Sequence, residues 1–105
     1  MKMEIGARVG AMESATASEV RMFGYGVYDG DHDPGCGPMG MSGEEWAQSF
    51  RDQGMEPEPW LNPRITLDNG KVAWGFQCWW GAEESVKKAV GDRKVLYVDP
   101  PEIGK

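Results

Sequence analysis

Residues 64–80 read Arg64-Ile-Thr-Leu-Asp-Asn-Gly-Lys-Val-Ala-Trp-Gly-Phe-Gln-Cys-Trp-Trp80, and the way this stretch bends decides the fold. Asn-Gly between alternating apolar residues signals a two-residue type I′ hairpin, because that turn needs positive φ at both central positions. With Asn69 and Gly70 as the loop, Asp68 faces Lys71, Leu67 faces Val72, Thr66 faces Ala73, Ile65 faces Trp74 and Arg64 faces Gly75. This register gathers Ile65, Leu67, Val72, Trp74, Phe76, Cys78 and Trp80 on one side, the expected core. A slip of one residue would exchange the faces.

Upstream of the hairpin, residues 1–6 carry little pattern and read as a starting strand or a frayed end. Residues 7–12 alternate, with Val9 and Ala11 on one side. Ser14-Ala-Thr-Ala-Ser18 is a small polar bridge, and a second strand follows over 19–28. Val20, Met22, Gly24, Gly26 and Tyr28 share one face of it, with Arg21, Phe23, Tyr25 and Val27 on the other, so neither face is plainly solvent. Glycines at alternate strand positions mark a bulge, a bend or a close approach. Residues 29–43 hold five glycines and two prolines and read as one long loop. Ser42 and Glu45 form a capping box for a helix over 43–53, with a Met41–Trp46 staple. Its Trp46, Ala47 and Phe50 are expected to pack on the sheet, and Glu56-Pro-Glu-Pro-Trp-Leu-Asn-Pro63 is a stiff connector.

Downstream, Gly81 ends the long strand. A short helix over 82–90 buries Val86, Ala89 and Val90, Gly91 stops it, and 94–99 is a last strand. These elements predict one α+β domain over 1–98: a small, mostly antiparallel, strongly bent sheet of the SH3-like, partly open barrel type with two short helices. Residues 99–105 are expected to form a flexible tail.

A chain of 105 residues supports one core. Its formal charge of −6 argues against a long nucleic-acid partner, which needs clustered Lys and Arg. No stretch is long enough to span a membrane. Two cysteines and no apolar leader predict a cytosolic, reduced protein. The fifteen glycines bring turns, and the five tryptophans bring flat contact surface.

Three sets of residues carry candidate chemistry. Asp29, Asp31 and Asp33 alternate like the opening of a calcium loop, but Pro34 stands where that loop needs glycine and Gly40 where it needs a bidentate Glu, so a solvated turn is the simpler reading. His32 and Cys36 are the one candidate base and nucleophile, with Asp29 or Asp33 to orient the imidazole; a solvated histidine is again simpler. Cys78 falls on the core side. Trp79 and Trp80 must point to opposite faces. Trp79 then joins Ala73, Gly75 and Gln77 around a hollow edged by Thr66 and Arg64, which suits a base stacked beside a guanidinium. The alternatives are that another part of the chain covers this face, or that a second copy does. Tyr25 and Tyr28 rim the same hollow. The glycines of the second strand resemble a phosphate loop, but the lysine and the strand-to-helix context are missing.

Phe23-Gly-Tyr-Gly-Val-Tyr-Asp-Gly-Asp31, Asn62-Pro-Arg-Ile-Thr-Leu-Asp-Asn-Gly-Lys-Val72 and Gln77-Cys-Trp-Trp-Gly81 together resemble small uncharacterised proteins of bacteriophages and prophages. The resemblance covers most of the chain and implies a context, with no activity and no site residue attached: small accessory proteins that bind a host component, including inhibitors of host defence.

The expected function is therefore a non-enzymatic binder of a small nucleotide-like molecule, with Arg21, Tyr25, Tyr28, Arg64, Gln77 and Trp79 facing the ligand and no cofactor required. A homo-oligomer is compatible with it. The alternatives are an inhibitor that contacts a host protein through the acidic loop and surface tryptophans, and a small hydrolase or lyase built on His32.

Overall fold

A computed structural model describes residues 3–103; the expectations for residues 1, 2, 104 and 105 lie outside them. Six strands form one sheet: β1 (Arg8–Ala15), β2 (Glu19–His32), β3 (Asn62–Leu67), β4 (Val72–Trp74), β5 (Trp79–Ala82) and β6 (Lys94–Tyr97). Helix α1 (Gly43–Arg51) lies between β2 and β3, and α2 (Glu83–Val90) between β5 and β6. The order is β4-β3-β2-β1-β5, all antiparallel, with β6 added alongside β2 in parallel. The class is thus α+β with a mostly antiparallel sheet.

The long second strand serves two cores because it is bulged. Ala11 faces Gly24 but Met12 faces Met22, so Phe23 is an extra residue in β2; Glu13 is the matching extra residue in β1. Each insertion shifts the pleat by one. One core therefore contains Val9, Ala11, Phe23, Tyr28, Ile65, Leu67 and Ala73, with Cys78 and Trp80 packed against it. The other contains Met12, Val20, Met22, Val86 and Val90, with Tyr25 and Val95 beside it. Gly26, opposite Leu67, permits the close approach of β3 to β2: a Cβ there would lie 2.1 Å from the Thr66 carbonyl oxygen.

The hairpin bends where expected but closes differently. Leu67 N–H donates to the Lys71 carbonyl at 2.8 Å and Gly70 N–H to the Leu67 carbonyl at 2.9 Å. The loop thus has three residues, Asp68, Asn69 and Gly70, and only Gly70 takes positive φ (86°). The Asn69 side chain accepts from Lys71 N–H at 2.9 Å, an Asx interaction that fixes the turn without left-handed backbone at Asn69. The register moves by one, with Ile65 opposite Ala73 and Thr66 opposite Val72. β4 is thereby reversed: Ala73 is buried, and Val72, expected in the core, is 37% exposed.

Nor does the strand run on to Trp80. A 3-10 turn at Gly75–Gln77, held by Gln77 accepting from Trp74 N–H at 2.9 Å, interrupts it and leaves Phe76 outside the core. The chain then re-enters the sheet as β5 against β1, with Trp80 stacked on Tyr28 at 5.5 Å between ring centroids.

Three further expectations are corrected. Residues 29–32 belong to β2 instead of the long loop, since β3 pairs with Asp31 and His32 beyond an irregularity at Asp29 and Gly30. Ala89 is exposed on α2, where Val86 and Val90 alone reach the core. Helix α1 starts on the expected capping box, Glu45 N–H to Ser42 Oγ at 3.0 Å and Ser42 N–H to Glu45 Oε1 at 3.2 Å, but does not pack on the sheet. It lies against the connector, with Trp46 Nε1 donating to the Glu58 carbonyl at 2.8 Å and Phe50 edge-on to Trp46. No residue of α1 is buried. Residues 99–103 have no regular structure; Asp99 pairs with Lys71 at 2.8 Å and Pro101 accepts from Gln77 at 2.8 Å.

Candidate functional site

β1 occupies one edge of β2, and two strands share the other. β3 pairs with Gly26 through His32, and β6 with Glu19 through Met22. The two strands run in opposite directions and do not meet. Asp68 N–H reaches the Tyr25 carbonyl at 2.9 Å and Val98 N–H the Met22 carbonyl at 2.8 Å, and between those bonds the edge of β2 opens. The opening is a cavity of about 350 Å³ lined by Phe23, Tyr25 and Leu67 from β2 and β3, by Tyr97 and Val98 from β6 and the residue after it, and by the polar residues Asp68, Asn69 and Asp99. Ligand pockets range over roughly 300–1,000 Å³, so this one admits a single ring system and little more.

The electrostatics around the cavity are balanced. Arg8 donates to both oxygens of Asp68 at 2.7 Å, and these hydrogen bonds hold the Asp68 carboxyl below the usual carboxylate range. Arg8 also meets Glu83 at 3.3 Å, and that carboxyl is lowered for the same reason. Burial pushes the Tyr25 hydroxyl up, and Lys87 Nζ stands 5.8 Å from the Tyr25 ring centroid. The cavity thus presents aromatic walls and paired charges.

Of the six residues expected to face a ligand, only Tyr25 lines this cavity. The proposed hollow around Trp79 is not built, because the register shift puts Ala73 in the core and the 3-10 turn diverts the chain. Trp79 remains outward, 53% exposed, on β5 at the far end of the strand order from β3. Arg64 is engaged by Asp29 at 2.7 Å, whose carboxyl it lowers by hydrogen bonding, and Arg21 by Glu13 at 2.8 Å. Tyr28 is buried; its hydroxyl donates to Asp31 at 2.6 Å and is thereby raised. Gln77 is taken up by the turn and by Pro101.

The acidic stretch is likewise dispersed. Asp29 serves Arg64, Asp31 serves Tyr28, and Asp33 accepts from Gly35 N–H at 2.8 Å; among the described residues no group of three potential ligands converges. His32 Nε2 lies 2.7 Å from the Asp29 carbonyl, while Cys36 belongs to a bridge with Ser42. Cys78 sits against the core as expected, and burial pushes its thiol up to about 12.

Sequence reading missed Tyr97, Asp68, Asn69, Asp99 and Lys87 as neighbours of Tyr25. Tyr97 sits in a run, Val95-Leu-Tyr-Val98, that looks like packing, and only the parallel pairing with Met22 brings it here. No local signal announces that pairing.

A second surface lies away from the sheet. Met39, Met41, Trp60, Phe76 and Ile103 line an apolar hollow of about 290 Å³ beside α1. Trp60 and Phe76 touch at 4.9 Å between centroids, and Met39 is fully exposed with φ of 58°.

No helix among the described residues is long and apolar enough to cross a membrane. No family model matches the chain, and neither a curated protein nor a solved structure is significantly similar to it.

Proposed function

We propose that this chain is a non-enzymatic accessory protein of the phage type that binds a small nucleotide-like molecule and withholds it from a host defence system. The observation that supports this reading is the interrupted edge of β2, where Tyr25 and Tyr97 line a ring-sized cavity. Aromatic walls accept a base by stacking, worth about 1–3 kcal/mol per base. Asp68, Asn69 and Asp99 in the lining offer acceptors to sugar hydroxyls, and Lys87 beside Tyr25 offers a cation to phosphate. The guanidiniums first expected in that role are bound to carboxylates; Lys87 is itself 3.5 Å from Glu83, so a phosphate reaching it competes with that carboxylate.

The finer architecture follows the same reading. β4 and β5 end the strand order, yet only residues 75–78 join them, three in a 3-10 turn that rises about 2 Å per residue. Four strand spacings of about 4.8 Å exceed that reach, which supports reading the sheet as bent toward the SH3-like, partly open barrel type. A Cβ at Gly75 would lie 2.9 Å from both Pro63 and Trp80, consistent with that curl.

Calorimetry against cyclic and linear nucleotides tests the function. A nucleotide that releases heat with wild type and binds at least tenfold more weakly to Tyr97→Ala is expected; Tyr97 is 67% exposed, so the variant keeps the fold. Absence of heat and of any melting shift across the panel removes the reading. A second reading, contact with a host protein, draws on the surface beside α1, whose aromatic face the sheet leaves uncovered.

A further inference from the structure

We infer that the surface formed by α1 and its flanking loops docks a basic, amphipathic helix of another protein; the inference rests on the second reading above and is independent of the nucleotide cavity. The hollow is lined by long, adaptable and aromatic side chains: Met39, Met41, Trp60 and Phe76. Thioether-rich surfaces suit a helix face because they repack around apolar anchors at helical spacing. Met39 holds positive φ, unusual for a residue with a Cβ, while its side chain is wholly in solvent. No described residue covers that side chain.

The charge around the hollow selects the occupant. Asp33 and Glu58 line the adjoining hollow, which shares Cys36 and Trp60 with this one, and the segment 33–61 that lines both carries Asp33, Glu44, Glu45, Asp52, Glu56 and Glu58 against Arg51 alone. Glu44 is the one of these that Arg51 meets, at 3.0 Å. A cationic segment complements this rim. A second copy of the chain, docked through the same surface, would bring two acidic rims together.

The test uses the full chain and three synthetic helical peptides of roughly 18 residues, about 27 Å of helix, with leucine at identical spacing and lysine, glutamine or glutamate elsewhere. Methyl spectra of Met39, Met41 and Met22 report the place of binding. The lysine peptide is expected to shift Met39 and Met41 but not the buried Met22, to bind at least tenfold more tightly than the glutamine peptide, and to weaken with salt. Met39→Gln, a surface change, and the triple variant Glu44→Gln, Glu56→Gln, Glu58→Gln are each expected to lower affinity at least fivefold. Equal binding of the lysine and glutamine peptides overturns the basic character of the partner while leaving an apolar dock in place. Absence of Met39 and Met41 shifts with every peptide overturns both. Concentration-dependent shifts of those methyls in the chain alone replace the partner with a second copy.

Discussion

In the sheet, Val9, Ala11, Val20, Met22 and Ile65 have no exposed surface, whereas α1, with Trp46 and Phe50 at helical spacing, buries none of its residues. Both stretches carry the apolar period proper to their structure. Periodicity therefore identifies which side of an element is apolar but not what comes to cover it. In the sheet the cover is supplied by pairing and by α2; beside α1 only the connector is available.

The contrast is sharpest at two glycines. A Cβ at Gly26 would meet backbone atoms, the Thr66 oxygen at 2.1 Å and Leu67 Cα at 2.7 Å, whereas one at Gly37 meets the Trp46 and Met41 Cβ atoms at 2.8 and 3.2 Å. Gly26→Ala is expected to destabilise the protein by roughly 3 kcal/mol or more, or to prevent folding. Gly37→Ala should disturb the α1 region and change the unfolding free energy of the sheet, read by urea denaturation, by less than about 1 kcal/mol. Equal effects would mean the two regions unfold as one unit.

A smaller pair of lesions sharpens the same point. Ile65→Ala, at a fully buried site, should cost about 2–5 kcal/mol in global stability. Ser42→Ala removes the cap of α1 and should cost about 1 kcal/mol, visible as faster amide exchange in that helix with the sheet unchanged.

The smallest expected effect is electrostatic. Hydrogen bonds from Arg8 lower the Asp68 carboxyl in the folded state, so the contribution is present above the unfolded-state value, about 3.9, and is lost as pH falls through the folded one. Melting temperature against pH should fall less steeply below about pH 4 in Asp68→Asn than in wild type. An identical slope would show that the exposed pair adds nothing, the common result for surface pairs.

Much of the fold is legible in the chain. The Asn-Gly bend, the capping box, the two helices and the glycine-marked bend of β2 all announce themselves through local chemistry. What escapes is nonlocal or finely balanced. An Asx interaction at Asn69 favours the three-residue loop over the two-residue one, and that single residue reverses β4 and dissolves the expected hollow. The glutamine at position 77 looks like a strand residue until its side chain is seen holding the 3-10 turn. The candidate cavity is least legible, since it exists only because β3 and β6 stop short of each other on one edge.

That β6 lies beside β2 also sets a temporal order. Glu19 pairs with Lys94, seventy-five positions later in the chain, so closure of this contact waits for the segment that carries Lys94 to be made. A polypeptide ending before Lys94 would lack Tyr97 and Val98, so the cavity beside Tyr25 cannot exist until β6 has been made and paired.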